Sequence, residues 1–261
     1  MNKASDHAAS ARVRETLRNT VTFQMSVDVG RIGLGIEVAE AALKGGVDII
    51  EMGTPLLKTE GVRNVVPAFR ARFPGALLLA DMKSMDGAGY EAEGVYTGGA
   101  NIIDFLALAG VASARAVCAA RDGWRARDGE TARLAFADIL LPQEAPLQRA
   151  VETARAMVEA GVDGVGLHLQ LDARRADAQL FNSGLLTEAA QAVFETVGDV
   201  VSVQVVGGLT LAQATDLRRR GLKAFVISGN LGFDDGVARY ERPAPEIEAG
   251  VREFIAAVRA A

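Results

Sequence analysis

Leu77-Leu-Leu-Ala-Asp81-Met-Lys83-Ser-Met-Asp86 is a short apolar run that feeds two carboxylates and one lysine into a small space. Side chains on a strand repeat every second residue on one face. Asp81 and Lys83 are therefore expected to point the same way, with Asp86 just beyond the strand end, where a loop can aim it back. The outcome is a carboxylate–ammonium–carboxylate cluster at the mouth of whatever structure the strand joins. A solvated ion pair at a strand end has the same local sequence and little energetic value. The rest of the chain separates the two readings.

Working outward, apolar β-rich runs recur at 21–28, 47–52, 76–81, 101–107, 134–140, 164–168, 200–206 and 224–228. Helical patterns lie between and after them at 35–45, 61–73, 88–98, 113–122, 145–160, 185–197, 211–220 and 246–260. Gly-Gly-Val-Asp, Gly-Gly-Ala-Asn and Gly-Val-Asp-Gly segments stand where helix turns into strand, because glycine supplies the left-handed residue that ends a helix. Runs that are apolar almost throughout fit parallel strands covered on both faces. Eight such βα units predict a single (β/α)₈ barrel, an α/β fold, over 21–261, with residues 1–20 as an N-terminal arm and short capping helix carrying Val13 and Leu17. The competing arrangement is an open doubly wound sheet. Residues 122–133 read as an exposed loop, and 231–245 as a lengthened segment able to cover the catalytic end.

Composition agrees: 261 residues, 49% hydrophobic and 23% charged, suit one large core. A net charge of −5 with no basic run argues against nucleic-acid binding. No apolar run approaches a membrane span and residues 1–11 lack a signal-peptide core, so a soluble cytoplasmic protein is expected. Cys118 is the single cysteine, which excludes an intramolecular disulfide and suits a reducing compartment. It reads as a small buried hydrophobe rather than a nucleophile.

In a barrel, chemistry gathers at the C-terminal strand ends, and phosphate is often held after strands seven and eight. Those ends carry Asp28, then Glu51 with Gly53-Thr54-Pro55, then Asp81, Lys83 and Asp86, then Asp104, Asp138, and His168 with Gln170. The seventh gives Gly207-Gly208 and the eighth Ser228-Gly229-Asn230. Glycine lets backbone approach an anion closely, and the helix from Leu211 follows directly, so Gly207, Gly208, Ser228, Gly229 and Asn230 are the expected phosphate site. Acids outnumber the one lysine, which raises their pKa values or recruits a cation. Glu51 and Asp81 could hold Mg²⁺, which keeps waters and takes only one or two protein carboxylates, and a buried Glu51–Lys83 pair is the alternative. Lys83 should stay protonated. His7 lies in the polar arm. His168 shares a face with Gly166 and Gln170 and reads as a proton-transfer group, against a satisfied structural histidine.

The segments Val47-Asp-Ile-Ile-Glu51-Met-Gly-Thr-Pro-Leu and Ala80-Asp-Met-Lys-Ser-Met-Asp86 resemble the 3-hexulose-6-phosphate synthase and 3-keto-L-gulonate-6-phosphate decarboxylase family of the orotidine 5′-monophosphate decarboxylase superfamily. The likeness runs from about Val21 to the C-terminus. It implies Mg²⁺ on Glu51 and Asp81, with Asp28, Lys83 and Asp86 completing the polar cluster and His168 handling protons. It also implies a homodimer in which Asp86 reaches the neighbouring site. The implied activity is an aldolase-type lyase working through the enediolate of a ketose phosphate, most like the union of formaldehyde with ribulose 5-phosphate. Decarboxylation of a 3-keto sugar-acid phosphate through the same intermediate is the alternative, and a non-catalytic sugar-phosphate-binding barrel is a third reading. The chain departs from the family after His168, where Leu-Gln-Leu-Asp-Ala-Arg-Arg175 stands. It also has no arginine beside Gly229, and Arg174 or Arg175 is a conceivable substitute.

Overall fold

The structure, a computed structural model, describes residues 8–142, 144–229, 240 and 242–261. Asn230 and most of the 231–245 stretch lie outside the described residues. The chain begins α1 (Ala8–Asn19), β1 (Thr22–Val27), α2 (Ile32–Gly45), β2 (Ile49–Met52), α3 (Thr54–Glu60), α4 (Val62–Arg72) and β3 (Leu77–Ser84). It continues α5 (Ala88–Gly98), β4 (Ile102–Leu106), α6 (Gly110–Arg127), β5 (Leu134–Leu141), α7 (Pro146–Ala160) and β6 (Gly164–Leu169). The last part is α8 (Leu171–Ala176), α9 (Gln179–Asn182), α10 (Leu185–Val197), β7 (Ser202–Val206), α11 (Leu211–Arg219), β8 (Ala224–Ile227) and α12 (Ala244–Ala260). The eight strands form a closed parallel barrel in chain order, with β8 pairing back to β1 through Thr22↔Ala224 to Met25↔Ile227. The open sheet is thereby excluded.

The lumen is layered by the period of two along each strand. Ile49, Leu79, Ile102, Leu134 and Phe136 form an apolar floor with Ala9 and Leu17 of α1. Two residues further along their strands stand Glu51, Asp81, Asp104 and Asp138, all buried. The floor thus turns into an acidic layer without any change of face. β6 makes room for the bulk opposite: a Cβ on Gly164 would meet the Phe136 ring at 2.7 Å, and one on Gly166 would meet Asp138 Oδ1 at 2.3 Å. The remaining core fills the space between strands and outer helices.

Residues 122–133 correct the expectation of an exposed loop. α6 runs on to Arg127, and Arg121, Arg125 and Arg133 are buried. Asp163 supplies the reason: its carboxylate accepts from Arg121 Nη1 at 2.7 Å and Arg125 Nη2 at 3.0 Å. Arg125 Nε donates to the Arg133 carbonyl at 2.9 Å. A second difference is that residues 54–60 form a helix of their own, with Gly61 at φ +82° separating it from α4.

Candidate active site

A cavity of about 420 Å³ opens at the C-terminal end of the barrel. Its lining includes Asp28, Glu51, Asp81, Lys83 and His168, with Gly207, Gly208, Ser228 and Gly229. A larger cavity of about 580 Å³ lies at the opposite end between α1 and the starts of β6 and β7. The smaller one holds the convergent titratable groups, and convergence outweighs size.

β3 positions the lysine by an irregularity. Its register with β4 shifts between Asp81 and Ser84, and Lys83 takes φ +44°, a left-handed conformation rarely held by a residue with a side chain. Asp81 and Lys83 do meet, Nζ lying 2.9 and 2.8 Å from the two Asp81 oxygens, but through this bulge rather than a plain pleat. The second carboxylate of the cluster is Asp138, whose Oδ2 accepts from Nζ at 2.9 Å. Asp86 is exposed, accepts from the Gly87 amide, and does not line the cavity. Lys83 makes no contact with Glu51 among the described hydrogen bonds, which removes the expected alternative of a Glu51–Lys83 pair.

Glu51 is instead held by β1. Gln24 Nε2 donates to Glu51 Oε2 at 2.5 Å and Ser26 Oγ to Oε1 at 2.8 Å. Ser26 Oγ also lies 3.0 Å from Asp28 Oδ2. Thr54 Oγ1 donates to Asp81 Oδ2 at 2.7 Å, so the start of α3 locks that carboxylate. Of Gln24, Ser26 and Asp28, only Asp28 is singled out in the sequence; Gln24 and Ser26 are missed there, and their period of two with Asp28 is the signal that marks them. Tyr240 carried no such signal: its Oη donates to the Ser26 carbonyl at 2.5 Å from 214 residues away.

The electrostatics divide the acids. Burial pushes the Glu51 carboxyl well above the usual carboxylate range, and the charges of Asp81 and Asp28 push it further. Burial and then Asp81 raise Asp28, and burial followed by Asp138 and Asp81 raises Asp104 strongly. Asp138 goes the other way. Burial disfavours its charge, but Lys83 and His168 outweigh that and hold it below the ordinary value. Burial likewise opposes the Lys83 charge, and Asp138, Asp81 and Asp104 overcome it, so the ammonium persists.

His168 Nδ1 lies 3.7 Å from Asp138 Oδ2 and is buried without a hydrogen-bond partner among the described residues. Gln170, expected beside it, is exposed. Gly207 and Gly208 both take left-handed φ, +101° and +80°. A Cβ on Gly207 would come within 3.1 Å of His168 Cδ2 and 3.2 Å of the Leu169 amide nitrogen, so only glycine fits this approach. Thr210 caps α11 with a capping box to Gln213, which takes up the Thr210 and Gln213 amides.

Two acidic groupings bear on a cation. Asp81, Asp104 and Asp138 bring carboxylate oxygens within 4.8 Å of one another, and Asp104 Oδ1 and Asp138 Oδ1 have no hydrogen-bond partner among the described residues. The Lys83 ammonium, however, already bridges Asp81 and Asp138 and neutralises part of that group. Among the described residues neither Asp28 nor Glu51 has a salt-bridge partner, and burial first and the charge of Asp81 second raise both. Buried hard carboxylate oxygens that outnumber the one lysine beside them suit a hard divalent cation.

The sequence profile described as Orotidine 5′-phosphate decarboxylase / HUMPS family matches residues 22–229. The chain is 29% identical over 196 residues, 74% of its length and 84% of the relative's, to a 3-hexulose-6-phosphate synthase of Methylomonas aminofaciens. In fold it is similar to a crystal structure of 3-hexulose-6-phosphate synthase, with a TM-score of 0.71 and 23% identity over 89% of this chain and 99% of that one. It is also similar to a 3-keto-L-gulonate-6-phosphate decarboxylase from Vibrio cholerae, with a TM-score of 0.68 and 22% identity over 91% and 98%. The chain belongs to the orotidine 5′-phosphate decarboxylase / HUMPS family, and it is an enzyme of that superfamily.

Proposed function

We propose that the chain is a Mg²⁺-dependent aldehyde-lyase that acts on a ketose phosphate through its enediolate, joining formaldehyde to ribulose 5-phosphate or reversing that step. The observation that carries this reading is Lys83, held by Asp81 and Asp138 in a cavity lined by further acids and by glycine loops. The synthase named among its relatives favours aldol chemistry over decarboxylation.

Glu51 and Asp81 would hold Mg²⁺, which when bound supplies Lewis-acid stabilisation of oxyanion charge. Gln24, Ser26 and Thr54 fix those two carboxylates before any ligand arrives. Lys83 offers a permanent ammonium to negative charge developing on the substrate oxygens. His168 turns Nδ1 toward Asp138, which leaves Nε2 to exchange a proton with the substrate. Asp28, hydrogen-bonded to Ser26, orients a substrate hydroxyl. Gly207, Gly208, Ser228 and Gly229 receive the phosphate end. Asn230, expected with them, lies outside the described residues.

The functional unit in this reading is a homodimer in which Asp86 enters the neighbouring site. Met85 at 51% exposure, Tyr90 at 77% and Leu108 at 72% are exposed large apolar side chains, the first two close to Asp86 in the chain, of the kind such a contact covers. Among the described residues no helix is long and apolar enough to cross a membrane, and a lone buried thiol suits a reducing cytoplasm.

The test is formation of hexulose 6-phosphate from formaldehyde and ribulose 5-phosphate, with and without chelator. Activity that falls with EDTA and returns with Mg²⁺ is expected. Carbon dioxide release from 3-keto-L-gulonate 6-phosphate, without formaldehyde fixation, would replace this reading by the carboxy-lyase one.

A further inference from the structure

We infer that Arg174 is the phosphate-recognising cation of this site, reaching it from α8. The assignment deepens the functional reading above and rests on it for the identity of the sugar, though not for the anion. Arg174 lines the cavity at its glycine side, where its Nη1 donates to the Gly207 carbonyl at 3.0 Å. Its guanidinium stands over the Phe181 ring, 5.1 Å from the centroid. Phe181 is in turn tied to α11 by Gln213 Nε2, which lies 3.3 Å from the Phe181 carbonyl. The group is therefore held on two sides by residues around the glycine pair.

Charge balance points the same way. The described cavity lining contains three acids, Asp28, Glu51 and Asp81, and the cations Lys83 and Arg174 beside a histidine. Lys83 is committed to Asp81 and Asp138. Arg174 has no carboxylate partner among the described residues. Its neighbour Arg175 is 71% exposed and pairs with Asp172 at 3.7 Å. A guanidinium has five donors in a planar fork. One is taken by Gly207, and the rest can meet a dianionic phosphate monoester in bidentate fashion. The segment between β6 and α10 supplies both the cation, on α8, and the ring beneath it, Phe181 on α9.

A purely structural role, bracing the Gly207 loop, is the competing explanation, and three substitutions separate the two. Arg174→Gln keeps a donor for the Gly207 carbonyl but loses the charge. Arg174→Lys keeps the charge, and Arg175→Ala serves as the control. The probes are inorganic phosphate, titrated calorimetrically, and ribulose 5-phosphate against unphosphorylated ribulose in steady-state kinetics. Wild type should bind inorganic phosphate. Arg174→Gln should weaken that binding about 50-fold, raise KM for ribulose 5-phosphate with kcat within a few-fold, and shrink its preference over ribulose. Arg174→Lys should recover much of the loss, and Arg175→Ala should match wild type. No phosphate binding by wild type, or Gln restoring binding as well as Lys, would overturn the assignment. Phosphate binding that depends on Arg174 in a protein inert toward ribulose 5-phosphate would leave the assignment standing and sink the synthase reading instead.

Discussion

Lys83 Nζ lies 2.9 Å from Asp138 Oδ2, joining β3 to β5 across the lumen between residues 55 positions apart. The pair is asymmetric in its surroundings. Asp138 is buried beside Gly166, which leaves no room for a side chain there, while Lys83 reaches up from a left-handed bulge and is 21% exposed to the cavity. The ammonium can thus face a substrate while its counter-charge stays out of solvent.

Asp138 and Asp104 should respond oppositely to amidation. Asp138→Asn leaves Lys83 half-compensated and is expected to cost about 3 kcal/mol in urea unfolding. Asp104→Asn replaces a carboxyl that burial, Asp138 and Asp81 already hold well above the usual range, and should change stability by less than about 1 kcal/mol. The pH dependence has a definite sign. Asp138 is held below its ordinary value of about 3.9, so its contribution is complete above that pH and is lost as pH falls through the folded value. Wild type should accordingly lose stability on acidification more steeply than Asp138→Asn. Equal destabilisation by the two amides would contradict the division.

Glu51 should trade stability against function. Its folded pKa is raised by burial, Asp81 and Asp28, so in metal-free protein stability falls as pH climbs from the ordinary value, about 4.3, through the raised one. In EDTA at pH 7.5, Glu51→Gln should melt about 2–4 °C higher, the equivalent of roughly 1 kcal/mol. Added Mg²⁺ should raise the melting temperature of wild type and not of the variant, and the variant should lose formaldehyde fixation. Scanning calorimetry with and without Mg²⁺ decides this, and a variant less stable than wild type in EDTA would count against it.

Leu17 tests the floor of the barrel. It is 2% exposed and packs α1 against Ile49, Leu79, Ile102 and Phe136, at the end away from the cavity. Leu17→Ala should cost about 2–4 kcal/mol by denaturant unfolding. Steady-state constants at 25 °C should stay within about twofold, because the acidic layer sits above an otherwise intact floor. A large fall in kcat in the folded variant would show that α1 positions the site.

Cys118 should be inert. Burial pushes its thiol up to about 11, and Arg121 only partly offsets this. At pH 8 roughly one molecule in a thousand carries the thiolate. A disulfide-exchange reagent should label native protein over hours and unfolded protein at once, with the native rate rising about tenfold per pH unit toward pH 11. Stoichiometric native labelling within a minute at pH 8 would refute this.

The eight strands and the inward face of each were determined locally. Ile49 with Glu51, Leu79 with Asp81 and Ile102 with Asp104 repeat at a period of two, and that period alone stacks acid above apolar floor. Glycine at the strand ends marked the loops in the same local way. Three features are matters of tertiary structure, because each joins residues that only barrel closure brings together. Lys83 takes Asp138 as its second carboxylate, and Asp86, nearer in sequence, turns outward. Arg125, in a stretch that read as an exposed loop, is buried with Arg121 because Asp163, just before β6, supplies the charge both need. Arg174 rather than Arg175 enters the cavity, because Gly207 and Phe181 hold it there. Periodicity tells which face a side chain takes. Which partner it meets depends on the reach of a long side chain across a closed sheet, and no local pattern encodes that distance.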